Sequence, residues 1–211
     1  MDKTLYVYIN NNLEGSLTNN ENGKISFQYD KNAEMPLSLS LPLQNELYTE
    51  EKCHGFFNGL LPENDETRRM IARKYGINAN NDFAILKAIG YDCPGAISFI
   101  SDKSNSELAE YYEIKGKAIN TEELEKFINE LPQKPLGTGV KDLRLSLAGA
   151  QTKTAVLLIN NEIYLPDRHT PTSHILKPAI KGLKETVENE YICLKVAEKL
   201  GIRTPEVKIC N

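Results

Sequence analysis

The 211-residue chain reads as an α+β protein, a small antiparallel sheet with helices followed by a second β-rich portion. Three observations predict this. Alternating apolar runs separated by Asn- and Gly-rich turns occupy the first thirty residues. Helical periods with polar caps and glycine stops follow. After a polar stretch near residue 101, short apolar runs return around the small-residue turn Ala148-Gly149-Ala150.

Taken in order, Leu5 to Ile9 is a strand rich in β-branched and aromatic residues, and Asn10-Asn11-Asn12 turns it into a second strand from Leu13 to Leu17. A polar turn from Asn19 to Gly23 leads to Ile25 through Tyr29, completing an antiparallel meander. Leu37 to Leu43 alternates strictly, and Pro42 makes it an edge strand or a strand end. Helices come next. Thr49 caps one before Glu50-Glu51, a second starts at Pro62-Glu63 and runs to Tyr75 with Gly76 as its stop, and a third spans Asp82 to Ile89, ending at Gly90. Pro94-Gly95 then turns the chain into a strand over Ala96 to Ile100, which closes a unit at residues 1–100. Ser101 to Ser106 has too little apolar surface to order itself and serves as a linker. A connecting region, 101–141, holds a strand from Tyr111 to Ile119, a helix capped by Asn120 or Thr121 that ends near Leu131-Pro132, and a loop from Pro135 to Gly139. The remaining unit, 142–211, contains the small-residue loop, further short strands, and a helix over Lys184 to Leu200 with an apolar stripe of Val187, Tyr191, Leu194, Ala197 and Leu200 and Gly201 as its stop.

Composition narrows the function classes. Forty per cent apolar residues suffice for a core, and a net charge of −4 gives no overall basic field to favour nucleic acid. From Lys141 to Glu185, seven basic residues face four acidic ones, a local excess that suits an anion, although most of these side chains belong to a solvated face. No apolar run approaches the ~20 residues of a membrane helix, and Met1-Asp2-Lys3-Thr4 does not open a signal peptide. A cytoplasmic protein with no membrane contact is expected. The four cysteines are widely spaced and the three histidines lack ligand spacing, so reduced thiols and no metal site are expected.

The loop carries the chemistry. Ala148, Gly149 and Ala150 leave backbone N–H groups bare enough for an anion to approach. Ser146, Gln151, Thr152 and Thr154 add hydroxyl and amide groups, and Lys153 adds positive charge. An ordinary hairpin turn has the same composition. Further on, Lys177 ends a short β-like run beside Pro178, where it either snorkels to solvent or meets an anion. Glu190 lies next to the apolar stripe of the last helix, with Glu188 two residues away as the competing register. Loop, strand, strand with lysine and helix with glutamate is the order in which a protein-kinase N-lobe presents its phosphate loop, its phosphate-binding lysine and the glutamate that orients it.

Three phrases, Ser146 to Thr154, Pro171 to Pro178, and Glu188-Asn189-Glu190-Tyr191 with Leu200-Gly201-Ile202, resemble the HipA-type serine/threonine kinases, toxins of bacterial type II toxin–antitoxin modules. Phe56 to Glu63, Asp82 to Leu86 and Gly90 to Ala96 are similar to that family's N-terminal subdomain. The resemblance implies an N-terminal subdomain followed by a kinase-like N-lobe that is incomplete here, because the catalytic base and magnesium ligands belong to a C-lobe with no counterpart in the sequence. It further implies ATP as cofactor, with the backbone of Ala148, Gly149, Ala150, Gln151, Thr152 and Lys153 on the phosphates. Lys177 would take the α/β-phosphates, Glu190 would orient it, and Ser146 would be the autophosphorylated serine. A phosphate there would add about −2 charges to the loop. Implied partners are a HipB-like DNA-binding antitoxin or a complementary kinase lobe, with an aminoacyl-tRNA synthetase as the family's substrate. The expected function is that of a truncated or split kinase toxin, inactive alone; the alternatives are a non-catalytic regulator or antitoxin-like subunit and an unrelated α+β binding domain. Without a C-lobe, the second sheet and the Lys184 to Leu200 helix are expected to expose apolar surface.

Overall fold

The computed structural model describes residues 3–20, 23–103, 116–134, 136, 147–149, 151–166 and 172–210. The architecture is mixed α/β with two antiparallel sheets. β1 (Thr4–Ile9), β2 (Asn12–Asn19) and β3 (Ile25–Tyr29) form the meander, and β4 (Ile97–Ile100) returns to the free edge of β1, giving the order β3-β2-β1-β4. Asn10 and Asn11 both take positive φ, 46° and 70°, as a tight hairpin following the strand twist requires.

The hairpin is not regular. Val7 faces Gly15 whereas Tyr8 faces Leu13, so Glu14 is an extra residue in β2. The bulge turns the Glu14 carboxylate inward, where it is 1% exposed. Its Oε2 accepts from the N–H groups of Glu34 at 2.9 Å and Met35 at 3.1 Å and so pins the chain leaving β3. Gly15 is required beside it, since a Cβ would lie 2.5 Å from the Gln28 carbonyl oxygen and 2.6 Å from the Phe27 ring.

Leu37 to Leu43 is not a strand. Ser38 O accepts from Leu41 N at 3.0 Å, and the Ser38 hydroxyl accepts from Ser40 N at 3.2 Å, so the backbone doubles back on itself. Leu37 and Leu41 reach the core, while Leu39 at the tip is fully exposed. Serines that can satisfy the backbone locally outweigh the period-two pattern.

α1 (Glu50–Gly59), α2 (Asp65–Tyr75) and α3 (Asp82–Ile89) pack over this sheet. The second of these starts later than its Pro62-Glu63 signal, because the Asn64 side chain accepts from Glu66 N at 2.8 Å and Thr67 N at 3.1 Å and fixes the cap there. Gly76, at φ 64°, ends it. At the centre, the Phe57 ring lies 5.5 Å from Phe27 and 5.9 Å from Phe99, joining α1 to both edge strands of the sheet. Burial of Cys53 pushes its thiol up to about 11, leaving it inert.

The second sheet has the order β5-β7-β6-β8, formed by β5 (Lys117–Ile119), β6 (Thr154–Ile159), β7 (Glu162–Leu165) and β8 (His174–Leu176). Of the strand expected from Tyr111 to Ile119, residues 111–115 lie outside the described residues. α4 (Thr121–Glu130) begins with a full capping box between Asn120 and Glu123. α5 (Thr186–Lys199) stops before Gly201, whose φ is 79°. The core continues across the two portions, since Leu136 and Ala155 belong to the same apolar cluster as Phe57 and Leu61. Among the described residues no helix is long and apolar enough to cross a membrane.

Phe57→Ala should lower unfolding free energy by about 3–5 kcal/mol in urea titration, as expected for emptying a fully buried aromatic site. A loss below about 1 kcal/mol would show that the three-ring contact does not organise the core.

Candidate functional site

Residues leading into β6, the end of β8 and the first turns of α5 meet at one edge of the second sheet. Ser146 and Ala150 lie outside the described residues. Ala148 and Gly149 approach β6 in an open curve, with Gly149 at φ 95°, a region closed to most side chains. Lys153 returns into this curve. Its Nζ donates to the Ala148 carbonyl at 2.7 Å, and the side chain is only 9% exposed. A Cβ on Gly149 would stand 3.0 Å from that Nζ, so a larger residue would press on the lysine tip, and the positive φ itself favours glycine. Removal from water, together with the neighbouring Lys177 charge, pulls the Lys153 ammonium below the usual lysine range, and Glu63 and Glu190 act in the opposite direction.

Lys177 follows β8 directly and forms an ion pair with Glu190 of α5. Of the two registers left open by the helix, the structure brings Glu190 to the lysine. Both side chains are 36% exposed, so water can reach the pair. Gln151 crosses toward the same strand end, donating from Nε2 to the Pro178 carbonyl at 3.3 Å. Thr152 is half-buried beside it. Of the expected group, then, Ala148, Gly149, Gln151, Thr152, Lys153, Lys177 and Glu190 converge.

The Ala148 carbonyl accepts from the loop's own lysine. An ammonium removed from solvent takes the nearest acceptor.

A contact that sequence reasoning missed joins this portion to the first. Thr172 donates its hydroxyl to Asp92 Oδ2 at 2.8 Å across eighty positions of sequence. Burial raises the Asp92 carboxyl above its usual value while the Thr172 bond opposes the rise. The two residues flank a cavity of about 370 Å³ whose lining among the described residues also includes Asn10, Ser98, His174 and Leu147. Both residues lie in phrases that carry the family resemblance, Gly90 to Ala96 and Pro171 to Pro178, but nothing local to either phrase pairs it with the other.

With this geometry in place, two protein families match the chain. The HipA N-terminal domain covers residues 5–100, and the HipA-like C-terminal domain covers residues 145–211. The chain belongs to the HipA family. It is 34% identical over 213 residues to the Y4mE protein of Sinorhizobium fredii, covering 98% of this chain and 50% of that one. It is 30% identical over 176 residues to the serine/threonine-protein kinase toxin HipA of Shewanella oneidensis, covering 83% of this chain and 39% of the relative. A solved chain from the Shewanella oneidensis MR-1 complex of HipA, HipB and operator DNA superposes with a TM-score of 0.77 at 27% identity, covering 98% of this chain and 47% of the other. The chain thus spans about half the length, or less, of the HipA relatives it matches. Kinase-like character is common to the relatives it matches in sequence.

Asp92→Asn keeps an acceptor for Thr172 and removes the charge. Because the folded carboxyl titrates above its ordinary 3.8, its ionisation costs stability as pH rises through the folded value. Asp92→Asn should therefore be the more stable protein at pH 7, and the difference should vanish below about pH 3.8. Thermal unfolding at several pH values reads this directly, and a constant difference at all pH values would refute it. Glu190→Gln should change stability by no more than about 1 kcal/mol, as befits a half-exposed pair.

Proposed function

We propose that these residues form the ATP-phosphate-gripping part of a HipA-type serine/threonine kinase toxin, an incomplete kinase N-lobe behind an N-terminal subdomain. The observation that carries this role is the Lys177–Glu190 pair beside the Gly149–Lys153 curve. In protein kinases a strand lysine held by a helix glutamate presents its ammonium to the α/β-phosphates, and a small-residue loop covers them. The donor set fits triphosphate. Lys153 and Lys177 supply two cations, the second close enough to perturb the first, and repulsion between like charges is relieved when an anion binds between them. The Lys153 ammonium gives one of its three donors to the Ala148 carbonyl and has others to offer a phosphate oxygen. Ser146 is the proposed autophosphorylation site, where added negative charge would oppose nucleotide.

Chemistry needs more than this grip. A group that orients the acceptor hydroxyl and Mg²⁺ held on the phosphates provide much of the rate enhancement. No group of three or more His, Cys, Asp or Glu able to hold a metal ion occurs among the described residues. We assign those roles to residues outside the 211, supplied by a complementary kinase lobe. A polypeptide limited to residues 1–211 is therefore proposed to bind ATP weakly and to transfer no phosphate. Exposed apolar side chains on one side of the second portion, Ile192, Val196, Leu200 and Ile202, support a covering lobe or protein partner there. The complex in which the solved neighbour was found supports a HipB-like antitoxin as a partner; a cytoplasmic location and an aminoacyl-tRNA synthetase as substrate complete the proposal.

A regulatory or antitoxin-like role is the alternative. It is favoured by the concentration of core residues in the first hundred positions, which gives that unit a packed interior of its own.

ATP titration of the purified chain separates the two. Lys177→Ala should weaken ATP binding about tenfold or more, the loss expected for one charged hydrogen bond of ~1.5–3 kcal/mol. Equal ATP affinity in the two proteins, or phosphate transfer by the chain well above its Lys177→Ala variant, would overturn the proposal.

A further inference from the structure

The phosphate loop rests against the N-terminal unit. Pro62, from the turn that leads α1 into α2, and Thr67, from the first turn of α2, line a cavity of about 20 Å³ together with Gly149, Gln151, Thr152 and Lys153. A gap of that size holds about one water, so the turn is the neighbouring wall of the loop. Pro62 is buried there, and Leu147, at the start of the loop, packs against the apolar cluster that contains Leu60 and Leu61.

One side chain fixes this wall. Arg68 gives its donors to two different partners, Nε to the Pro62 carbonyl at 2.7 Å and Nη1 to Asp82 Oδ1 at 2.7 Å. Asp82, the first residue of α3, is itself held by α1, since its Oδ2 accepts from Asn58 Nδ2 at 2.8 Å and lies 3.1 Å from His54 Nε2. The arginine and aspartate side chains are only 13% and 10% exposed, so each depends on the other for countercharge. The Asp82 end of this bridge joins helices of the N-terminal unit to one another. The Pro62 end faces the other unit.

We infer that Arg68 is a positioning residue for the phosphate loop, bridging Asp82 and the Pro62 carbonyl so that the turn stays against Gly149 to Lys153 and the Lys153 side chain stays covered. A planar guanidinium reaches two acceptors at fixed angles, whereas a lysine ammonium is a point charge on a flexible stem and cannot replace the bridge. Without it the turn is free to draw back from the loop. The consequence for ATP rests on the nucleotide-site proposal, but the cover over Lys153 is measured without nucleotide.

The test is the rate at which Lys153 is acetylated in the whole chain, read by mass spectrometry relative to the exposed Lys52. Four proteins are compared, each with its global stability from urea titration. They are the unchanged chain, Arg68→Lys, which keeps a cation for Asp82 and gives up the bridge, Asp82→Asn, which weakens the anchor, and Ile71→Val, which loosens the fully buried face of the same helix and leaves both hydrogen bonds in place. Lys153 should react about fivefold faster in Arg68→Lys, the change that one lost hydrogen bond makes in a local opening equilibrium. Asp82→Asn should lie between this and the unchanged chain, and it carries the test alone should Arg68→Lys not fold. Ile71→Val should leave the rate unaltered. An unchanged Lys153 rate in the Arg68 and Asp82 variants overturns the inference, and so does an equal rise in Ile71→Val, which would reduce the effect to general loosening. ATP is added in a separate arm, where it should protect Lys153 and Lys177 in the unchanged chain and protect them less in Arg68→Lys. Absence of protection in the unchanged chain would overturn the nucleotide site and leave the role of Arg68 to the labelling rates.

Discussion

A lysine ammonium taken out of water must find acceptors and countercharges to replace its hydration, and Lys153 meets that demand within a loop of very small residues. The Ala148 carbonyl provides the acceptor and Gly149 provides room, at a φ that only glycine adopts readily. Much of the local arrangement follows. The loop curves because its lysine is folded into it, Lys177 is drawn to Glu190 rather than left facing a second cation, and the turn at Pro62 comes up against the loop from below. An anion entering here meets two cations already held in place.

The two portions of the chain meet through unlike contacts. Apolar packing runs through Leu136 and Ala155 into the core around Phe57, which is broad and tolerant of small shifts. The Asp92–Thr172 hydrogen bond is a directional link, set at the rim of a cavity. Slip between the portions would be resisted by the first and registered by the second.

Strands and helices with strong local signals were legible in the sequence. Asn10-Asn11 demanded a tight turn, Gly76 and Gly201 demanded helix ends, and α3 lies where its cap and stop residues place it. Leu37 to Leu43 departs from its strand pattern because strict alternation also arises in a turn where the Ser38 hydroxyl takes the Ser40 N–H and the two serine hydroxyls pair. Lys177 and Glu190 could be named from their order along the chain, as a strand end followed by a helix face brings them together by topology. Lys153 was recognised as a positive charge, but its burial was not. Whether a lysine points out of a loop or into it depends on packing from Pro62 and Thr67, more than eighty residues earlier in the chain. The Asp92–Thr172 contact was not legible for the same reason, since its partners stand eighty positions apart.

α5 carries Glu190 yet has no fully buried residue. A helix held by so few buried contacts opens locally at small free-energy cost. Any ligand that needs Glu190 in place selects the closed population from that equilibrium, and its apparent affinity is scaled by the fraction of molecules in which the helix is docked. Fastening the outer side of α5 would tighten binding without touching a single group that meets the ligand.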